Sequence, residues 1–132
     1  MFDYVKALYA DLAEAVGVEA LTPDANGTVN IDLDTDVTVS VFAESPVAIM
    51  LAAAVLPLPQ AVDYARALWL LRRNFHDSPI APFRVACDED GALVVWGRVP
   101  VEGLTGAQLA ALIASVAEEV SLIREELEME DA

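Results

Sequence analysis

The chain predicts an α+β fold in the order helix, three strands, helix, two strands, helix. Three observations carry this: apolar stripes of helical period in three segments, period-two alternation in the segments between them, and Gly- or Pro-marked turns at the joins. With 132 residues and a hydrophobic share of 56%, the whole of 1–132 reads as one domain. A monomer of this size buries roughly two-thirds of the surface its unfolded chain exposes, enough for a real core.

Asp3 to Val16 makes the first helix, with Val5, Leu8, Leu12 and Val16 on one face and Lys6, Asp11 and Glu14 elsewhere. Gly17 can take the left-handed conformation that closes it. After a connector through Leu21 and Pro23, Asn26-Gly27 gives a turn. Val29, Ile31 and Leu33 then alternate with Asn30 and Asp32, and Val37, Val39 and Val41 with Thr38 and Ser40, the pattern of strands with one wet face. Two features break it: Phe42 falls in the polar register, and the third strand, Val47 to Leu56, is apolar on both faces. Either the far face of the sheet is covered or Phe42, Met50 and Ala52 form an exposed patch. The alternative is that Phe42 sits past a bulge and turns inward.

Gln60 to Phe75 reads as the amphipathic helix around which the rest is organised. Leu71, Tyr64, Phe75, Leu68 and Ala61 form one stripe, and Ala65, Trp69 and Val62 a second beside it. The combined arc approaches 180°, on the order of twice what a helix lying on a single core needs. Such a helix packs against two things, of which its own sheet and another copy of the chain are the simplest pair. In a single-subunit reading Trp69 would instead be partly exposed or covered by a loop. Asp63 and Asn74 mark the wet side, and Arg66 and Arg73 border the second stripe.

Beyond Pro79, Phe83, Val85 and Cys87 alternate into Asp88-Glu89-Asp90-Gly91, and Leu93, Val95 and Val99 continue, a hairpin with an Asp-Gly turn. Cys87 is expected to be a small buried side chain, while Val94 and Trp96 lie on the other face. The last helix has the clearest start: Thr105 and Gln108 at capping-box spacing, Leu104 and Leu109 at staple spacing. Leu109, Leu112, Ile113, Val116, Val120, Ile123 and Leu127 trace one stripe. The acids from about Glu125 onward sit unfavourably with the helix dipole, so that end is expected to fray.

Composition narrows the partners. A net charge of −15, from 22 acidic and 7 basic residues, leaves too few cations to displace the counterions of a phosphate backbone, so no nucleic acid is expected. A mean hydropathy of +0.46 beside that charge suits a protein that exposes apolar surface. No targeting segment is expected, because Asp3, Lys6 and Asp11 interrupt the first stretch. No membrane insertion is expected either, the longest apolar run, Val47 to Leu58, being short and broken by Pro57. One cysteine makes no internal disulfide, and the chain reads as cytoplasmic.

Motifs for chemistry are missing where they would be needed. Asp32, Asp34 and Asp36 resemble half a calcium loop, but its glycine and glutamate positions hold Val37 and Ala43, so the three read as turn residues. His76 is the only histidine and has no clustered ligands, no serine sits in an elbow motif, and the six glycines form no phosphate loop. No catalytic residue, metal site or cofactor is assigned, and the chain is not read as an enzyme.

The element order, together with Val16-Gly17-Val18, Asn26-Gly27, Leu56-Pro57-Leu58-Pro59, Ala67-Leu68 through Asn74-Phe75, Asp90-Gly91-Ala92-Leu93-Val94-Val95 and Val99-Pro100-Val101, resembles the class I chaperones of bacterial type III secretion, the CesT or Tir-chaperone family. The resemblance spans about Val5 to Leu127. It implies a homodimer whose subunits each carry a twisted antiparallel sheet and three helices, the central helix contributing to the dimer contact. It further implies a client, the N-terminal segment of a secreted effector, held extended, soluble and export-competent without ATP hydrolysis. Apolar client side chains would fill surface patches and a short client strand could add to a sheet edge. Face arguments then assign Val62, Ala65, Trp69 and Arg73 to the dimer contact and Phe42, Met50, Val94 and Trp96 to the client. The alternatives are a regulatory adaptor of the same fold that binds a non-secreted cytosolic protein and, more remotely, a small-ligand-binding domain or enzyme.

Overall fold

A computed structural model describes residues 2–33, 36–55, 64–75, 78 and 83–128. The elements are α1 (Asp3–Val16), β1 (Val29–Leu33), β2 (Val37–Ala43), β3 (Ala48–Val55), α2 (Tyr64–Arg72), β4 (Arg84–Cys87), β5 (Leu93–Pro100) and α3 (Gly106–Glu128). The strands form one sheet in the order β1-β2-β3-β5-β4, with every neighbouring pair antiparallel. The expected α+β order holds.

The helix boundaries follow from their caps. Gly17 takes φ 82°, and the bonds Gly17 N–H to Glu14 O and Val18 N–H to Ala13 O close α1 in a Schellman turn. At α3 the capping box forms in both directions: Gln108 N–H donates to Thr105 Oγ1 at 3.1 Å, and Thr105 N–H to Gln108 Oε1 at 3.0 Å. Gly106 lets α1 come close, since a Cβ there would lie 2.3 Å from the Asp11 carbonyl carbon.

One core lies between the sheet and these two helices. α3 crosses β2, β3 and β5, and α1 packs along α3. Val39, Val41, Ile49, Leu51, Val55 and Val95 supply the sheet side; Leu12, Leu109, Val116, Val120 and Ile123 meet them, all with next to no exposure. By length and composition Gly106–Leu127 would pass for a membrane-crossing helix, but its apolar stripe is spent on the sheet. Leu127 is buried, and α3 stays helical through Glu128.

Four sequence expectations change. Cys87 is exposed: it is the last residue of edge strand β4, beside the Asp88–Gly91 turn, and its partner Leu93 is itself only half-buried. Val16 is exposed at the end of α1, where Tyr9 and Ala13 are buried instead. Arg66 is buried rather than bordering a stripe, and Asn74 is half-buried against β4 rather than wet. Helix α2 is described from Tyr64, Arg73–Phe75 continuing it as turns; Ala61, Val62, Asp63 and His76 lie outside the described residues.

Candidate functional site

The strand register settles Phe42. Val41, Phe42 and Ala43 face Leu51, Met50 and Ile49 in unbroken succession, so no bulge turns the phenylalanine inward. It therefore shares the outer face of the sheet, opposite the helices, with Met50. Continuing across the register, Met50 pairs with Arg98, Ala52 with Trp96 and Ala54 with Val94. The fold thus brings Phe42, Met50, Val94 and Trp96 onto one surface, an apolar band across β2, β3 and β5 whose four side chains are all half-buried. Arg84, cross-strand from Trp96, and Arg98, ion-paired with Glu44, border it, two of the chain's few cations. Asn30, Ser40, Asp32 and Thr38 make the polar end, tied as Ser40 Oγ to Asn30 Oδ1 and Thr38 Oγ1 to Asp32 Oδ1.

The two sheet edges differ. On β4, the Asn74 side chain accepts from Val85 N–H (2.6 Å) and donates to Val85 O (2.9 Å), occupying that residue's main chain as a neighbouring strand would. Main-chain groups in an antiparallel ladder point alternately to either side. Carried across the register from Val85, this alternation aims the outer groups of β1 from Thr28, Asn30 and Asp32. The carbonyl of Thr28 accepts from Asp24 N–H at 2.9 Å, in keeping with that direction. Among the described residues nothing bonds the outward main chain of Asn30 or Asp32. Among the described residues, the β1 edge is open at Asn30 and Asp32 and the centre of the β4 edge is closed.

A second apolar surface lies on α2. Tyr64 and Leu71 are 79% and 65% exposed, and Phe75, one turn on, 59%. Of the residues expected at the dimer contact, Ala65 is exposed and Trp69 half-buried against the core, while Val62 is outside the described residues. Arg73 turns inward, its Nε and Nη2 bonding Glu119 Oε2 and Oε1 at 2.8 and 2.5 Å and its Cζ lying 5.1 Å from the Trp69 ring centre. The bond to Glu119 raises the Arg73 pKa further, against the opposing effect of burial. Sequence reasoning missed Glu119, although its place three residues after Val116 and four before Ile123 puts an acid on the buried stripe of α3.

No three His, Cys, Asp or Glu side chains converge as a metal site among the described residues. Asp36, at φ 60°, donates its N–H to Leu33 O in the turn between β1 and β2, and its carbonyl is held by Arg124; Asp34 lies outside the described residues.

The sequence profile of the Tir chaperone protein (CesT) family matches residues 7–124. No curated protein matches the chain in sequence. Among solved structures, the fold is similar to the Yersinia pestis type III secretion chaperone SycH in complex with a stable fragment of YscM2, at 19% identity over 90% of this chain and 98% of that chain, TM-score 0.76. It is also similar to a chain of the HopA1–SchA chaperone–effector complex, at 20% identity over 92% of this chain and 94% of that chain, TM-score 0.75. A third likeness is to a chain of the heterodimeric ExoU–SpcU complex from the type III secretion system of Pseudomonas aeruginosa, at 20% identity over 89% of this chain and 94% of that chain, TM-score 0.73.

Proposed function

The chain belongs to the Tir chaperone (CesT) family, and from that premise we propose that it is a cytoplasmic bacterial homodimer that binds the N-terminal segment of a type III secreted effector. It keeps that segment soluble, partly unfolded and export-competent without ATP hydrolysis. The observation that carries this reading is the outer sheet face, where Phe42, Met50, Val94 and Trp96 stand together uncovered by α1 and α3, which pack on the other side. An apolar band of this kind gives an extended client somewhere to put its alternate side chains.

The open β1 edge supports strand addition there, main-chain bonds from Asn30 and Asp32 supplying affinity while the adjacent face selects side chains. Dimerisation is assigned to α2, where Tyr64, Leu71 and Phe75 contribute exposed apolar area and Ala65 of the expected contact is exposed as well, while Val62 lies outside the described residues. Binding the unfolded client draws it away from aggregation and premature folding by mass action.

Co-expression with the N-terminal segment of a candidate effector, followed by light scattering, tests this. A complex of two chains to one client, in which the client alone is insoluble or rapidly proteolysed, is expected. A chain that retains only folded cytosolic partners would favour a regulatory adaptor and overturn the reading.

A further inference from the structure

We propose that Glu119, together with Asn74, positions α2 so that its apolar stripe is presented to a second copy of the chain; this rests on the reading above that α2 makes the dimer contact. Helices in proteins owe most of their stability to tertiary packing rather than to propensity, so contacts with other elements must hold α2. Apolar burial supplies only part of that hold, since Trp69 and Leu70 are half-buried while Tyr64 and Leu71 face out.

Polar anchors supply the rest. The Glu119 side chain is 3% exposed and sits on the α3 stripe where an aliphatic residue would extend the core. A buried carboxylate is tolerated when it is paired and hydrogen-bonded, and the two parallel bonds from Arg73 do both. A bidentate fork fixes orientation as well as distance, which a greasy contact does not, and Trp69 lies under the guanidinium. One residue on, Asn74 is bonded to both main-chain groups of Val85, and its carbonyl accepts from Arg84 at 3.0 Å. Consecutive residues thus grip two different elements, α3 and β4. The C-terminal end of α2 is fixed in place and in rotation, which sets the direction of Tyr64 and Leu71.

The test is amide hydrogen exchange and sedimentation on the full-length protein for Glu119→Gln, Glu119→Ala and Asn74→Ala, with the charge exchange Arg73→Glu/Glu119→Arg and the α1 core variant Val5→Ala as comparisons. The expected result is exchange at α2 faster by about tenfold or more with β3 and β5 still protected, dimer dissociation raised by at least about tenfold, and partial recovery of both in the charge exchange. Val5→Ala, by contrast, loosens the core without singling out α2. Should Glu119→Ala fail to fold, Glu119→Gln and Asn74→Ala decide. Unchanged α2 exchange in these two, or a loosened α2 with an undiminished dimer, overturns the proposal. Leu71→Glu separates the two levels: if it leaves the dimer intact, α2 is not the contact and the reading above fails. If it dissociates the dimer while the Glu119 and Asn74 variants do not, only the positioning role fails.

Discussion

Helices α3 and α2 have the same kind of periodicity but are held by different forces. α3 spends its apolar positions on its own sheet, burying Leu109, Ile113, Val116, Val120, Ile123 and Leu127, and admits one charge, Glu119. α2 buries only an arginine, Arg66, and turns Tyr64 and Leu71 to solvent. The difference teaches that apolar content identifies a helix as wanting a partner, whereas the burial it achieves says whether the partner is in the same chain. For α2, the exposure of Tyr64 and Leu71 is what supports the proposal made above that the partner is a second copy of the chain.

Substitutions can break or sharpen that contrast. The largest effect is expected in α3, where Leu109→Ala should cost about 2–5 kcal/mol in urea unfolding, by lost transfer energy and a cavity. Next comes Gly106→Ala: the new Cβ meets main-chain atoms of Asp11, so α1 must shift, at about 1–3 kcal/mol in the same assay. Thr105→Ala removes the reciprocal cap and should cost about 1 kcal/mol. On α2, Leu71→Ala should change unfolding at low protein concentration by less than about 0.5 kcal/mol while weakening self-association, the reverse of the α3 pattern.

A pH experiment probes the α1 side of the core. Burial, with smaller contributions from Tyr4 and Asp24, pushes the Tyr9 phenol up to about 12 from 10.0, while its hydroxyl donates to Val41 O. A raised folded-state pKa means that the folded chain holds the proton longer than the unfolded chain. Its stabilising effect is therefore full below pH 10 and declines as pH rises from 10 towards 12. Tyr9→Phe should flatten that decline in thermal unfolding followed by circular dichroism.

The elements legible in the sequence were those whose signal is local. Gly17, the Thr105–Gln108 box and the Asp88–Gly91 turn act within a few residues, so α1, α3 and the hairpin stand where expected. That Phe42, Met50, Val94 and Trp96 share a face was legible because a strand's period is two: once Phe42 and Trp96 fall out of the inward register, pairing carries them to one face. What could not be read depends on contacts distant in sequence. The inward turn of Arg73 is decided by Glu119, and the burial of Asn74 by Val85 on β4. Cys87 misled because alternation assigns a face but not whether anything covers it at a strand's end.

The most direct test of the account is to titrate the N-terminal segment of a candidate effector into the wild-type chain and into Trp96→Glu, measuring affinity by calorimetry and subunit mass by sedimentation on the same samples. The account predicts that Trp96→Glu remains a dimer and loses at least about tenfold in affinity, because a charge is forced into the apolar band that receives the client. Unchanged affinity in a Trp96→Glu dimer would contradict it and remove the outer sheet face as the binding surface.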